Sequence, residues 1–139
     1  MTKTYTLPFT QSLKDGYATI VAADTTALKT VYTGGTNDSV VKALQAVTDD
    51  TSARVLNVYV NNGTTDYLVG SVSVAAASGT NGSTAAVDLL GGTLLPGLPY
   101  DSNGKRILPL QATHVLKVSS QTTVTAAKTV TVMALVEDY

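Results

Sequence analysis

Short runs in which apolar and polar residues alternate recur along nearly the whole sequence. They are "YATIVAA" at 17–23, "ALKTVYT" at 27–33, "RVLNVYV" at 54–60, "YLVGSVSV" at 67–74, "THVLKVSS" at 113–120 and "KTVTVMALV" at 128–136. Successive side chains of an extended strand point to opposite faces, so a period of two marks a strand with one face buried. Turn signals separate the runs. Asn62-Gly63 between "NVYV" and "DYLVG" predicts a hairpin, because Asn-Gly readily takes the positive φ of a tight turn. Gly34-Gly35, Asn81-Gly82 and Asn103-Gly104 mark further turns. Composition agrees: threonine and valine are the commonest residues and Glu137 is the only glutamate, a bias of pleated surfaces rather than helices.

One segment is ambiguous. In "SVVKALQAV" at 39–47, Val40, Val41, Leu44 and Val47 fit a helical stripe while alternation fits a strand nearly as well. The β-branched pair and the surroundings favour a strand. In "KTVTVMALV", Val130, Val132, Ala134 and Val136 share one face and Thr129, Thr131, Met133 and Leu135 the other. Both faces are fairly apolar, which predicts a central strand covered on both sides. No internal repeat of roughly 20 to 50 residues is present. About eight short strands at regular spacing predict an all-β fold, a jelly-roll-like antiparallel β-sandwich. Residues 16–139 read as a single sandwich domain. Residues 1–15, where Tyr5, Leu7 and Phe9 alternate before any turn signal, read as an extended N-terminal arm, either an edge strand or a segment docking on a neighbour.

At 139 residues the protein can bury about two-thirds of its unfolded surface. Charged residues make up 14%, against roughly a quarter in an average domain. With net charge −1 and no basic cluster longer than Lys105-Arg106, a nucleic-acid partner is not expected. The N-terminus lacks the apolar core and small-residue cleavage site of a signal peptide, and no apolar run approaches the ~20 residues that span a bilayer. The expectation is folding in a cytoplasm, with no membrane partner. The Asn-x-Ser/Thr triplets at Asn37, Asn62 and Asn81 are then turns rather than glycosylation sites.

Motifs for catalysis are missing. There is no cysteine, and serine nucleophiles need a base, for which His114 is the only histidine. Its place in "ATHVLKVSS" reads as a half-exposed strand position. Asp49-Asp50 is the only adjacent carboxylate pair and sits in "TDDTS", which reads as a solvated turn. "DSNG" at 101–104 superficially resembles a calcium loop, but the frame puts Pro99 at the first ligand position and no glutamate at the twelfth. An Asx turn accounts for it better. Gly104-Lys105 lacks the Ser/Thr and the glycine spacing of a phosphate loop. These readings predict no enzyme, no cofactor and no metal.

The stretch "LLGGTLLPGLPYDSNGKRILPL" at 89–110 is anomalous. Its three prolines and four glycines predict an irregular surface loop, yet it holds seven leucines. Such a loop either covers an open end of its own sandwich or meets another protein.

"TTALKTVYTGGTNDSVVKALQAVTDDTSARVLNVYVNNGTTDYLVGSVSV", then a Ser-Gly-rich loop and "AVDLL…LPGLP", resembles small virion proteins of tailed bacteriophages. It is most similar to the jelly-roll cement, or decoration, proteins of short-tailed phages. The similarity runs from about residue 16 to the C-terminus and is carried best by "TNDS" after "VYTGG" and by "TDYLVGSV" after the hairpin. It rests on hydrophobics and turns, and brings no set of functional residues. The resemblance implies a structural virion protein on the capsid exterior that bridges subunits of the major capsid protein. It implies a homo-oligomer, with a dimer favoured. The expected partner contacts are Tyr5, Leu7 and Phe9 in the arm and Leu94, Leu95, Leu98 and Tyr100 in the loop. The alternative function is a carbohydrate-binding or host-attachment module of a phage head or tail fibre. The seven dispersed tyrosines and the lack of tryptophan favour it less.

Overall fold

The computed structural model describes residues 12–91 and 95–139. Nine strands form among them: β1 (Ser12–Val21), β2 (Lys29–Thr33), β3 (Ser39–Thr48), β4 (Arg54–Asn61), β5 (Asp66–Val74), β6 (Val87–Asp88), β7 (Leu108–Leu110), β8 (Val115–Ser120) and β9 (Thr129–Asp138). The only helical element there is a short 3-10 turn, Ala22–Asp24. Every alternating run of the sequence supplies a strand, within a few residues at each end.

The strands make two antiparallel sheets. One has the order β1-β9-β3, with β6 and β7 both pairing the far side of β3. The other has the order β2-β8-β4-β5. The pairs are nested: β4 with β5, β3 with β6 and β7, β2 with β8, β1 with β9. Successive pairs alternate between the sheets, so the backbone is one long hairpin wound around a core. Ile20, Leu44, Ala46, Val130, Val132 and Ala134 fill that core from one side, and Leu56, Val58, Val72, Val74, Leu116 and Val118 from the other. All are buried.

Three bulges set the registers. In β3, Val41 faces Val136 and Ala43 faces Leu135, leaving Lys42 as the extra residue. The bulge shifts the inward phase by one, so Val41, Leu44 and Ala46 are buried together. That shift is why the strand imitates a helical stripe in sequence. The strand reading of 39–47 holds. The Asn62-Gly63 hairpin also forms: Gly63 has φ +103°, and Asn62 Oδ1 accepts from the backbone of Thr64 (3.1 Å) and Thr65 (2.9 Å).

The two sheets approach closely along one margin. A Cβ on Gly16 would lie 2.2 Å from the carbonyl oxygen of Val31, so only glycine lets β1 pass β2 there. At the same end the Tyr32 hydroxyl donates to Asp138 Oδ1 at 2.6 Å, tying β2 of one sheet to β9 of the other. Burial, followed by the Asp138 contact, pushes the Tyr32 hydroxyl up to about 12, so it remains a donor at neutral pH.

Two boundaries differ from expectation. Ser12–Asp15, expected at the end of the arm, are the first residues of β1, the edge strand of its sheet, and pair with Asp138, Glu137, Val136 and Leu135, which is the edge-strand alternative for these four residues. The rest of that arm lies outside the described residues. His114 precedes β8 rather than lying within it, because Thr113 takes φ +65° and interrupts the extended backbone.

Candidate contact surfaces

The inner faces of both sheets are consumed by the core, so any contact must use an outer face, an edge or a loop. The outer face of β1-β9-β3 carries three exposed large apolar side chains. Pairing brings Tyr17 beside Met133 and Leu13 beside Glu137, with Leu135 two residues further along β9. Leu13 is 78% exposed, Tyr17 58% and Leu135 45%. A shallow depression of about 250 Å³, almost wholly apolar, lies between Leu13, Lys14, Lys42, Leu135, Val136 and Glu137. Tyr17 adds a polar end: its hydroxyl donates to Asp15 Oδ2 at 2.9 Å, and that hydrogen bond raises its pKa. β9 is central, as its sequence predicts, but its second face is not covered by the described residues.

The outer face of the second sheet is different in kind. Asn57 Oδ1 accepts from the Ser71 hydroxyl at 2.6 Å and from Gln121 Nε2 at 2.9 Å. Lys117 pairs with Asp66 at 3.1 Å. Leu68, exposed on edge strand β5, pairs with Tyr59 on this face, whereas its neighbour Tyr67 pairs with Val60, which packs against the core. This face is a hydrogen-bonded polar surface with an exposed apolar margin.

The leucine-rich loop belongs largely to the molecule's own core. Leu89, Leu90, Leu95, Leu108 and Leu110 are all buried, and Leu98 packs partly buried against them. The backbone N–H of Leu89 donates to the carbonyl of Leu44, which fastens the start of the loop along β3. Leu95, expected to meet a partner, is 3% exposed and has almost no surface left to offer. The lid reading accounts for Leu95 and most of Leu98. Tyr100 does project, at 61% exposure, with the Arg106 guanidinium 4.4 Å above its ring. Arg106 Nη1 in turn donates to the carbonyl of Leu98 at 2.8 Å. Tyr5, Leu7, Phe9 and Leu94 lie outside the described residues.

The polar residues singled out in sequence resolve into structural roles. The two carboxylates in "TDDTS" separate: Asp49 is exposed, whereas Asp50 is fully buried, which corrects the reading of a solvated pair. Asp50 accepts from Arg54 Nε at 2.7 Å, from the Thr125 hydroxyl at 2.7 Å and from the backbone N–H of Thr125 and Ser52 at 3.0 Å each. Burial alone would raise this carboxyl, but those donors outweigh it and hold the group far below the usual carboxylate range. Asp101 forms an Asx turn: its Oδ1 accepts from the N–H groups of Asn103 and Lys105 at 2.9 Å each. No group of three metal-ligating side chains occurs among the described residues. The described tyrosines are spread over both sheets and the loop rather than lining one hollow.

Sequence reasoning misses Leu13, Tyr17 and Leu135 as contact candidates. The signal is present in the second apolar face of 128–136, which alternation alone presents as covered. The arm boundary hides Leu13. No protein-family model matches the protein, and no curated protein matches it.

Proposed function

We propose that this protein is a structural virion protein that binds the outer surface of an icosahedral capsid and stabilises it by bridging subunits of the major capsid protein. The observation that carries the reading is the open apolar face of the β1-β9-β3 sheet, centred on Leu13 and Leu135. An exposed apolar patch rimmed by charge is a usual mark of a protein contact. The resemblance to jelly-roll cement proteins supports the same partner, and the nested strand pairing supports the jelly-roll form of the sandwich. The low charge content, 14%, reduces the cost of desolvating a large contact area.

A filled shell pushes outward on every contact between its subunits. A stiff two-sheet domain seated across such a contact resists separation without chemistry. Each bridge can be weak, because many symmetric copies act together and a two-fold dimer gains from effective concentration.

The test is sedimentation of purified protein with empty, expanded shells of the phage that encodes it, followed by heating of the decorated shells. Saturable binding in a fixed ratio to the capsid subunit, with a raised shell disruption temperature, is expected. Failure to bind shells, together with retention on host-surface glycans, would instead establish the attachment-module reading.

A further inference from the structure

The sequence holds three Asn-Gly steps, at Asn62, Asn81 and Asn103. Asn-Gly is the dipeptide at which asparagine most readily loses its side-chain amide, because glycine leaves the following backbone nitrogen unshielded. The three glycines are alike. Gly63, Gly82 and Gly104 all have positive φ (+103°, +75° and +77°), and a Cβ on any of them would meet nothing within 4 Å. The asparagine side chains are not alike.

Asn62 Oδ1 accepts three hydrogen bonds, from the Thr64 N–H, the Thr64 hydroxyl and the Thr65 N–H. The Gly63 N–H is itself held by Asn61 Oδ1 at 2.7 Å. Asn81 Oδ1 accepts from the N–H groups of Ser83 and Thr84, and its Nδ2 donates to the Thr84 hydroxyl. The Asn103 side chain makes no hydrogen bond among the described residues. Only its backbone is engaged, by Asp101 Oδ1, and the Gly104 N–H makes one 3.1 Å bond to the Asp101 carbonyl. Asn103 and Gly104 are both exposed.

We propose that Asn103 is a site of spontaneous deamidation and isoaspartate formation, while the other two Asn-Gly steps are protected by their side-chain hydrogen bonds. The Gly104 nitrogen, its proton passed to hydroxide, attacks Asn103 Cγ. A C–N bond forms, the Cγ–Nδ2 bond breaks, and ammonia leaves, giving a five-membered imide. One water then opens the imide. Breaking the bond from Cγ to the Gly104 nitrogen gives aspartate. Breaking the original peptide bond to that nitrogen gives isoaspartate, whose backbone runs through Cβ and Cγ. The net change is one water consumed, one ammonia released and one carboxylate gained. That carboxylate arises two residues from Asp101, which pairs with Lys42 at 3.4 Å. Isoaspartate also lengthens the backbone inside the bracket closed by the 2.7 Å bond from the Asp101 N–H to the Lys105 carbonyl. Both changes loosen the loop that carries Tyr100 and Arg106.

The test is incubation of the intact protein at mildly alkaline pH, with electron-transfer fragmentation to place each product, alongside a sample held in denaturant. In the native protein, conversion at Asn103 should outpace Asn62 and Asn81 by about tenfold or more, since the side chain at each of those sites is held by three hydrogen bonds. In denaturant the three rates should converge. Asn103→Gln should abolish the fast native phase with no change in melting temperature. Equal native rates, or a lead by Asn62 or Asn81, would overturn the proposal, as would a fast phase that survives in Asn103→Gln.

Discussion

Asp50 is fully buried in the turn between β3 and β4. Its carboxylate joins the β3–β4 turn, through Ser52 and Arg54, to the segment before β9, through Thr125. Removing one partner of a buried ion pair typically costs about 3–5 kcal/mol, because the other charge stays buried and unpaired. Asp50→Ala should therefore lower the melting temperature sharply, read by circular dichroism or calorimetry. The pH dependence has a definite sign. The folded-state pKa lies below the ordinary value of 3.8, so the unfolded state binds the proton more readily. Stability from this group is fully present above about pH 4 and is lost progressively as pH falls below it. The loss of stability on going from pH 7 to pH 3 should be smaller in Asp50→Asn than in the parent protein. An equal loss in both would show that Asp50 is not the acid-sensitive group. The sequence could not show this role, since Thr125 lies 75 residues away and nothing local distinguishes Asp50 from exposed Asp49.

The strands were legible because their alternation is local, whereas what covers each face was not. Two elements make the difference concrete. β1 can lie against β2 only because Gly16 has no side chain. Gly16→Ala should cost at least about 1–3 kcal/mol, as overpacking usually does, and the obstacle here is backbone that cannot rotate away. Chemical denaturation measures that directly. The 89–110 loop looks like a contact surface in sequence because its turn residues forbid regular structure while its leucines demand burial. The sandwich itself supplies that burial, so Leu95→Ala should cost about 2–5 kcal/mol in the isolated domain. An unchanged denaturation midpoint would return Leu95 to the partner contacts. The β3 bulge shows the same limit from the other side. One extra residue at Lys42 is enough to blur a strand into a helical stripe, because register depends on the partner strand β9 and not on the run itself.

At the scale of the whole molecule, the proposed function uses the apolar outer face of β1-β9-β3 as its contact surface, separate from the core that makes the fold. The sandwich was readable from periodicity, turn chemistry and the single glutamate. The surface was only half readable, because an apolar second face in a sequence does not say whether the protein itself or a partner covers it. Surface and core residues should separate by experiment. Leu13 is mostly exposed and Leu135 nearly half exposed, so replacing both with serine removes much less burial from the isolated domain than truncating a core leucine such as Leu95 does. With 78% of Leu13 and 45% of Leu135 still exposed, the two together offer roughly 2–4 kcal/mol of apolar burial to a partner, at about 1.5–3 kcal/mol for a leucine fully buried. The most direct measurement is the occupancy of empty shells by the Leu13→Ser/Leu135→Ser protein, quantified per capsid subunit after sedimentation, with melting temperature measured on the same sample. A contact role for this face predicts a melting temperature that falls far less than in Leu95→Ala and an occupancy reduced at least about tenfold, the effect of about 1.4 kcal/mol. Full occupancy at unchanged stability would contradict it.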